Sequence, residues 1–255
     1  MPNAILVDKI LLHKLAFSIE KNFKEVSLSN RAQILEQLRH GLIASCQPVR
    51  GGPLDRPPLV AALAQATLAG GAVGLRIEGL ADLEATRAAT SVPIVGLVKR
   101  EVPGSPVYIT PELSDVRALA ERGADIIAFD ATLRPRPVGV GTMIEAIHAL
   151  GCLAMADIST LEEGLEAHRL GADFVGSTMS GYTEYSPQSS GPDLELVQEL
   201  SKRGARVIAE GRIATPEQAR AALEVGAFAV TVGTALTRIE LLTQGFVNAL
   251  RGVAK

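Results

Sequence analysis

The sequence predicts an α/β fold, a (β/α)8 TIM barrel with an N-terminal helical extension. Eight apolar runs alternate with helical patterns, the runs are continuous, and no G-x-G-x-x-G follows the first of them. Strands alternating with helices mean parallel βαβ units. Continuous apolar runs mean strands covered on both faces. The missing dinucleotide fingerprint and the count of eight favour a closed barrel over an open Rossmann-like sheet. The 255 residues also suit one barrel, which takes about 250.

In chain order, residues 1–30 form an extension with a helical-looking piece over 5–19, and residues 31–255 carry the barrel domain. Ser29 or Asn30 is suited to cap a helix over Arg31–Arg39 with an apolar stripe of Ile34, Leu35 and Leu38. Strands are expected at Gly41–Cys46, Ala72–Ile77, Pro93–Val98, Ile126–Phe129, Leu153–Ala156, Phe174–Gly176, Arg206–Ala209 and Phe228–Val232. Helical patterns between them include Pro57–Ala69, Pro111–Arg122, Gly141–Leu150, Leu161–Leu170, Asp193–Arg203 and Pro216–Val225, with a final helix at Ile239–Arg251. Gly-Ala-Asp or a close variant recurs before strands, at Gly71, Gly123, Gly171 and Gly226. Glycine there suits the end of the preceding helix, where φ turns positive.

Hydrophobic residues make up 47% of the chain but aromatics only 4%, with no Trp, so the core must be aliphatic. A net charge of -3 gives no electrostatic reason to expect nucleic acid or an anionic membrane as a partner. No apolar run reaches the roughly 18 residues of a membrane span, and the N-terminus does not read as a signal peptide. Cys46 and Cys152 lie far apart and form no metal-binding pattern, which fits a reduced, cytoplasmic setting. His13, His40, His148 and His168 are scattered and none sits at a strand end, so no metal is expected.

In this architecture the active site lies at the C-terminal ends of the strands. These deliver Ser45-Cys46-Gln47, Arg76, Lys99-Arg100-Glu101, Asp130 with Thr132, Asp157 with Ser159, Ser177-Thr178, Glu210 with Arg212, and Gly233-Thr234. Singly, each could be a solvated rim charge or an ion-pair partner. Together, Arg76, Lys99, Asp157 and Glu210 should converge on one mouth as an acid–base site. The loops after the last two strands, with Gly211-Arg212 and Gly233-Thr234, suit a phosphate cradle. An ordinary lysine titrates near ~10.4 and is a poor base at neutral pH. Burial and a neighbouring Arg76 or Arg100 would lower Lys99, while Glu210 or Asp157 nearby would oppose that.

With those residues in view, the sequence resembles the N-acetylmannosamine-6-phosphate 2-epimerases of sialic acid catabolism. The likeness rests on GLIASCQ (Gly41–Gln47), GAVGLRIEG (Gly71–Gly79), PIVGLVKR (Pro93–Arg100), GADIIAFDAT (Gly123–Thr132), MADIST (Met155–Thr160), GADFVGSTMSGYT (Gly171–Thr183), AEGRI (Ala209–Ile213) and VTVGTALTR (Val230–Arg238). The resemblance implies a cofactor-independent epimerisation at C2 of a phosphorylated amino sugar. It places the catalytic roles on Lys99 and Glu210, further site roles on Gln47, Arg76 and Asp157, and phosphate binding on the backbone of Gly211, Arg212, Gly233 and Thr234. Enzymes that look like this are typically homodimers packed through the C-terminal helix region. The chain departs from the family in its first 30 residues and in Ile239, where the family often has Pro. Two other readings use the same residues: a lyase or aldolase with Lys99 as a Schiff base, and a non-catalytic sugar-phosphate sensor.

Overall fold

The structure is a computed structural model that describes residues 29–252; the helical piece expected over 5–19 lies outside them. The chain divides between Glu36 and Gln37, and the barrel belongs to the second unit. It is helical over 29–38 (α1), so Ser29 and Asn30 already lie within the helix and neither caps it. Ile34 and Leu38 are buried and Leu35 is half-buried, as the stripe predicts.

The strands are β1 (Leu42–Ser45), β2 (Gly74–Glu78), β3 (Ile94–Leu97), β4 (Ile126–Asp130), β5 (Leu153–Asp157), β6 (Phe174–Gly176), β7 (Val207–Ala209) and β8 (Ala229–Val232). They are parallel, pair in sequence order and close through β8 on β1, making an eight-stranded barrel. Around them run α2 (Pro57–Ala69), α3 (Leu80–Ala89), α4 (Leu113–Glu121), α5 (Val140–Ala149), α6 (Leu161–Arg169), α7 (Leu194–Lys202), α8 (Pro216–Glu224), the short α9 (Thr234–Thr237) and α10 (Ile239–Arg251). The sequence signals α3 only weakly, because it starts from Gly79, which has no side chain to cap it. By contrast α6 and α8 open on capping boxes, Thr160 with Glu163 and Thr215 with Gln218. The four glycines of the repeat all have positive φ, from 86 to 107°.

Successive strand residues face opposite sides of the sheet. One set, including Leu75, Ile77, Ile127, Phe129, Ala154 and Ala156, joins Leu83, Leu119, Ile147 and Leu200 in the aliphatic layer under the helices. The alternate set fills the barrel itself, with Ile126, Ala128, Leu153, Met155, Phe174 and Ile208. The same alternation brings Arg76, Asp130 and Asp157 inward at the C-terminal ends, where all three are buried.

β6 contributes Gly176 to that interior. A Cβ there would lie 2.6 Å from Met155 Cε and 2.7 Å from Asp157 Oδ1, so the missing side chain is the space that Asp157 occupies. Gly176→Ala is therefore expected to lower the unfolding free energy in urea by about 1–3 kcal/mol through overpacking. It should also lower turnover, because the displaced side chain is Asp157. An unchanged midpoint would show that the interior yields there without cost.

Candidate active site

A cavity of about 540 Å³ opens at the C-terminal mouth of the barrel. Gln47, Arg76, Lys99, Glu210, Gly211, Arg212, Gly233 and Thr234 all line it. Asp157 does not line it; it sits fully buried behind Arg76.

Arg76 is the centre of the arrangement, only 1% exposed. Its Nη2 donates to Asp157 Oδ2 at 2.6 Å and its Nη1 to Oδ1 at 3.3 Å, a two-point grip that fixes the guanidinium plane. Thr178 Oγ1 donates to the same Oδ1 at 2.7 Å. Burial works against the Arg76 charge, but Asp157 and Glu210 outweigh it and hold the group protonated well above its ordinary range. Nη1 also lies 3.1 Å from Glu210 Oε2. That oxygen accepts no hydrogen bond, because the Nη1 protons are directed at Asp157 and at Met155 Sδ. Glu210 therefore feels the charge of Arg76 without a hydrogen bond from it. Burial pushes the Glu210 carboxyl up to about 7; Arg76 and Lys99 pull it down, and Asp157 adds to the rise.

Lys99 reaches the mouth from the opposite side of the barrel. β3 stops at Leu97, two residues short of it, and Lys99 is held by an isolated bridge to Ile109. Its Nζ donates to Gln47 Oε1 at 2.5 Å, and Gln47 Nε2 donates to Ser45 Oγ at 3.0 Å. Burial lowers the pKa of Lys99 and the charge of Arg76 lowers it further, while Glu78, with Nζ to Oε2 3.4 Å, raises it. The sequence names Glu210 and Asp157 as the opposing carboxylates and Arg100 as a possible neighbour. Glu210 does oppose the lowering by its charge, as expected, but the larger opposing carboxylate is Glu78 rather than Asp157, and Arg100 turns away to Asp115 and Glu112.

The two glycine loops adjoin this centre. Ser177 Oγ accepts from Glu210 N at 3.0 Å and donates to Glu210 O at 2.9 Å, clamping the backbone just before the loop. Gly211 and Arg212 follow with φ of 107 and 55°. The Arg212 side chain turns out of the cradle. It donates to Ser180 O at 2.6 Å and Gly191 O at 2.9 Å, and its guanidinium lies over the Tyr182 ring at 5.5 Å. Gly233 precedes α9, and a Cβ on it would meet Ser45 Cβ at 3.3 Å.

Several strand-end residues take other tasks. Asp130 is tied to Arg134 and Thr132, and Ser159 donates to Glu163. Others line the cavity unforeseen: Tyr108, Tyr182 and Ser190 sit in long loops with no periodicity to flag them, and Arg238 follows α9 and donates to Gln47 O at 3.0 Å. Glu78 was findable: it is two residues after Arg76, hence on the same face of β2.

Known proteins bear on this geometry. A family described as "Putative N-acetylmannosamine-6-phosphate epimerase" matches residues 60–252. The relative "Putative N-acetylmannosamine-6-phosphate 2-epimerase" from Pasteurella multocida is 54% identical over 226 residues, 89% of this chain and 99% of its own length. Its namesake from Haemophilus influenzae is 54% identical, covering 86% of this chain and 96% of its own. The solved N-acetylmannosamine-6-phosphate 2-epimerase from Clostridium perfringens superposes with a TM-score of 0.82 at 44% identity, over 84% of this chain and 95% of that one.

The raised carboxyl of Glu210 carries a stability signature. Between its ordinary 4.5 and about 7 the folded chain binds more protons there than the unfolded chain, so this group's contribution falls as pH rises through that window. Glu210→Gln is expected to raise the unfolding free energy at pH 8 by up to about 3 kcal/mol, and to change it little at pH 4. Urea denaturation at the two pH values measures this.

Proposed function

The chain belongs to the N-acetylmannosamine-6-phosphate 2-epimerase family, a family of carbohydrate epimerases, and from that premise we propose how its own residues interconvert N-acetylmannosamine 6-phosphate and N-acetylglucosamine 6-phosphate. The observation that carries the reading is the placement of Lys99 and Glu210 on one cavity, either side of Arg76 and next to the two glycine loops. A cavity of about 540 Å³ is in the size range of small-ligand sites.

The phosphate lies on the backbone of Gly211, Arg212, Gly233 and Thr234, where glycine lets the anion approach and the N–H groups at the very start of α9 precede those that Gly233 O takes up. This sets the reacting end of the sugar among the side chains. Glu210, poised near neutrality, gives a proton to the ring oxygen as the C1–O bond breaks and the O1 hydroxyl gives its proton to water, leaving a C1 aldehyde. The aldehyde acidifies the C2 hydrogen. Lys99 Nζ removes that proton and the electron pair moves into the C1–C2 bond, placing negative charge on O1. Arg76, held rigid by Asp157, faces that charge, and Gln47 holds the amine in line. A proton returned to the opposite face of C2 gives the epimer. The proton that enters C2 comes from water, and Lys99 and Glu210 regain their starting states by exchange with water, so the reaction needs no other co-reactant.

Two wider assignments belong to the same proposal. The enzyme works as a homodimer through α10, whose Ile239, Leu241, Leu242, Phe246 and Leu250 are exposed, Phe246 by 76%. Its setting is the cytoplasm. The free thiols of Cys46 and Cys152 agree, as does the absence, among the described residues, of a helix long and apolar enough to cross a membrane.

Following the sugars by NMR in deuterium oxide tests the chemistry: label should enter C2 of the product, and conversion without uptake would rule out deprotonation there. Lys99→Ala should lower kcat by about 10²–10⁴-fold, whereas Gly233→Val should raise KM. With Glu210 acting in its protonated form, kcat/KM should fall as pH rises through about 7. A rise there instead would make Glu210 the base. Phe246→Glu should convert the dimer to monomer in sedimentation.

A further inference from the structure

We propose that Glu78 is the positioning residue for Lys99, holding the amine by charge on the side away from the sugar, and that Arg50 at the rim tunes that hold. The inference rests on the reading of Lys99 as the group that moves the C2 proton.

That step makes opposed demands on one amine. It must be neutral to take the proton and an ammonium once it has it, so its two charge states have to lie close in energy. Burial favours the neutral form, and a nearby carboxylate is needed to offset it. The two acids at the heart of the site both face Arg76, and Glu210 adds to the offset by its charge without pairing with the amine. Asp157 is gripped by Arg76, and the Glu210 Oε2 oxygen lies against the same guanidinium. Among the described residues, Glu78 is the carboxylate within ion-pair distance of Lys99.

Strand register puts it there. Glu78 ends β2 and is paired with Leu97, the last residue of β3. Lys99 follows Leu97 by two residues on the same face, so its amine rises beside Glu78. The carboxylate bridges two cations. Its Oε2 lies 3.4 Å from Lys99 Nζ, and its Oε1 accepts from Arg50 Nη2 at 2.7 Å. The Arg50 side chain is 78% exposed, so it weakens the hold of Glu78 on the amine while remaining open to solvent.

Lys99, Tyr108 and Arg238 line both the substrate cavity and a neighbouring cavity of about 770 Å³, which also has Glu78 and Arg50 in its wall. The amine thus has one side to the sugar and one to a polar vestibule. The charged groups bearing on it are Glu78, Arg76 and Glu210, with Gln47 as a neutral acceptor. Those bearing on Glu78 are Lys99, Arg50 and, from the start of α3, Asp82, which itself faces Asp55.

The chain has seven lysines, few enough to follow the Lys99 side chain by NMR, with Lys99→Arg assigning its signal. In Glu78→Gln the Lys99 titration midpoint should drop by about one pH unit, and the limb of the kcat/KM profile that belongs to Lys99 should move down with it. Arg50→Ala should move both the other way by less than a unit. A merely structural role for Glu78 would not give opposite shifts. A midpoint that stays put in Glu78→Gln overturns the proposal. If the midpoint moves but the kcat/KM limb does not, the hold of Glu78 on Lys99 stands, and the assignment of Lys99 as the C2 base is what fails.

Discussion

A buried guanidinium is the constraint that the rest of the site obeys. Taking a charge of this size out of water costs several kcal/mol, and the cost is recovered only with close, well-aligned partners. Asp157 supplies them in two-point geometry, and Thr178 fixes Asp157 in turn. Having given its hydrogen bonds to Asp157 and Met155, Arg76 offers Glu210 its charge alone. Burial, helped by the charge of Asp157, therefore outweighs a permanent cation 3.1 Å away and carries the Glu210 carboxyl up to about 7. The same cation disfavours the charged form of Lys99. One arginine therefore bears on both of the titratable groups that the proposed chemistry uses, against burial at Glu210 and with it at Lys99.

Backbone and side chains divide the site between them. The loops proposed to hold the phosphate depend on chain geometry: positive φ at Gly211 and Arg212, and no Cβ at Gly233 where Ser45 packs close. The reacting end depends on side chains whose positions are fixed by strand register. Ser177 joins the two halves, since its hydroxyl clasps the backbone of Glu210 at the residue where one half ends and the other begins.

The fold was legible in the sequence because barrel strands are buried on both faces, and the apolar runs recorded this directly. α3 was faint because Gly79 gives it no side-chain cap. The side chains at strand ends were legible as a set, since the architecture sends them all to one mouth. Which of them would be diverted was not. Asp130 is drawn to Arg134, and Arg100 to Asp115 and Glu112, through partners supplied by loops and helices whose paths leave no periodic trace. Arg212 was readable as a phosphate-loop residue, but the outward turn of its side chain depends on the loop that carries Ser180 and Gly191. Asp157 looked like a contact for the sugar and instead stands behind Arg76, a distinction set by depth along a strand rather than by residue type.

The closure of β8 on β1 bears on how the molecule is made. Thr237 Oγ1 donates to Ser45 O across 192 residues of chain, and Arg238 donates to Gln47 O across 191. Such distant pairings come late, because the entropy of closing the loop must be met before the contact repays it. During synthesis β1 is made before the seven strands that follow it, and its far edge has no partner until β8 has emerged. The wall that carries Ser45, Gln47 and Gly233 is thus the last part of the cavity to form, and a growing chain can hold most of its strands in place before it can hold a sugar phosphate.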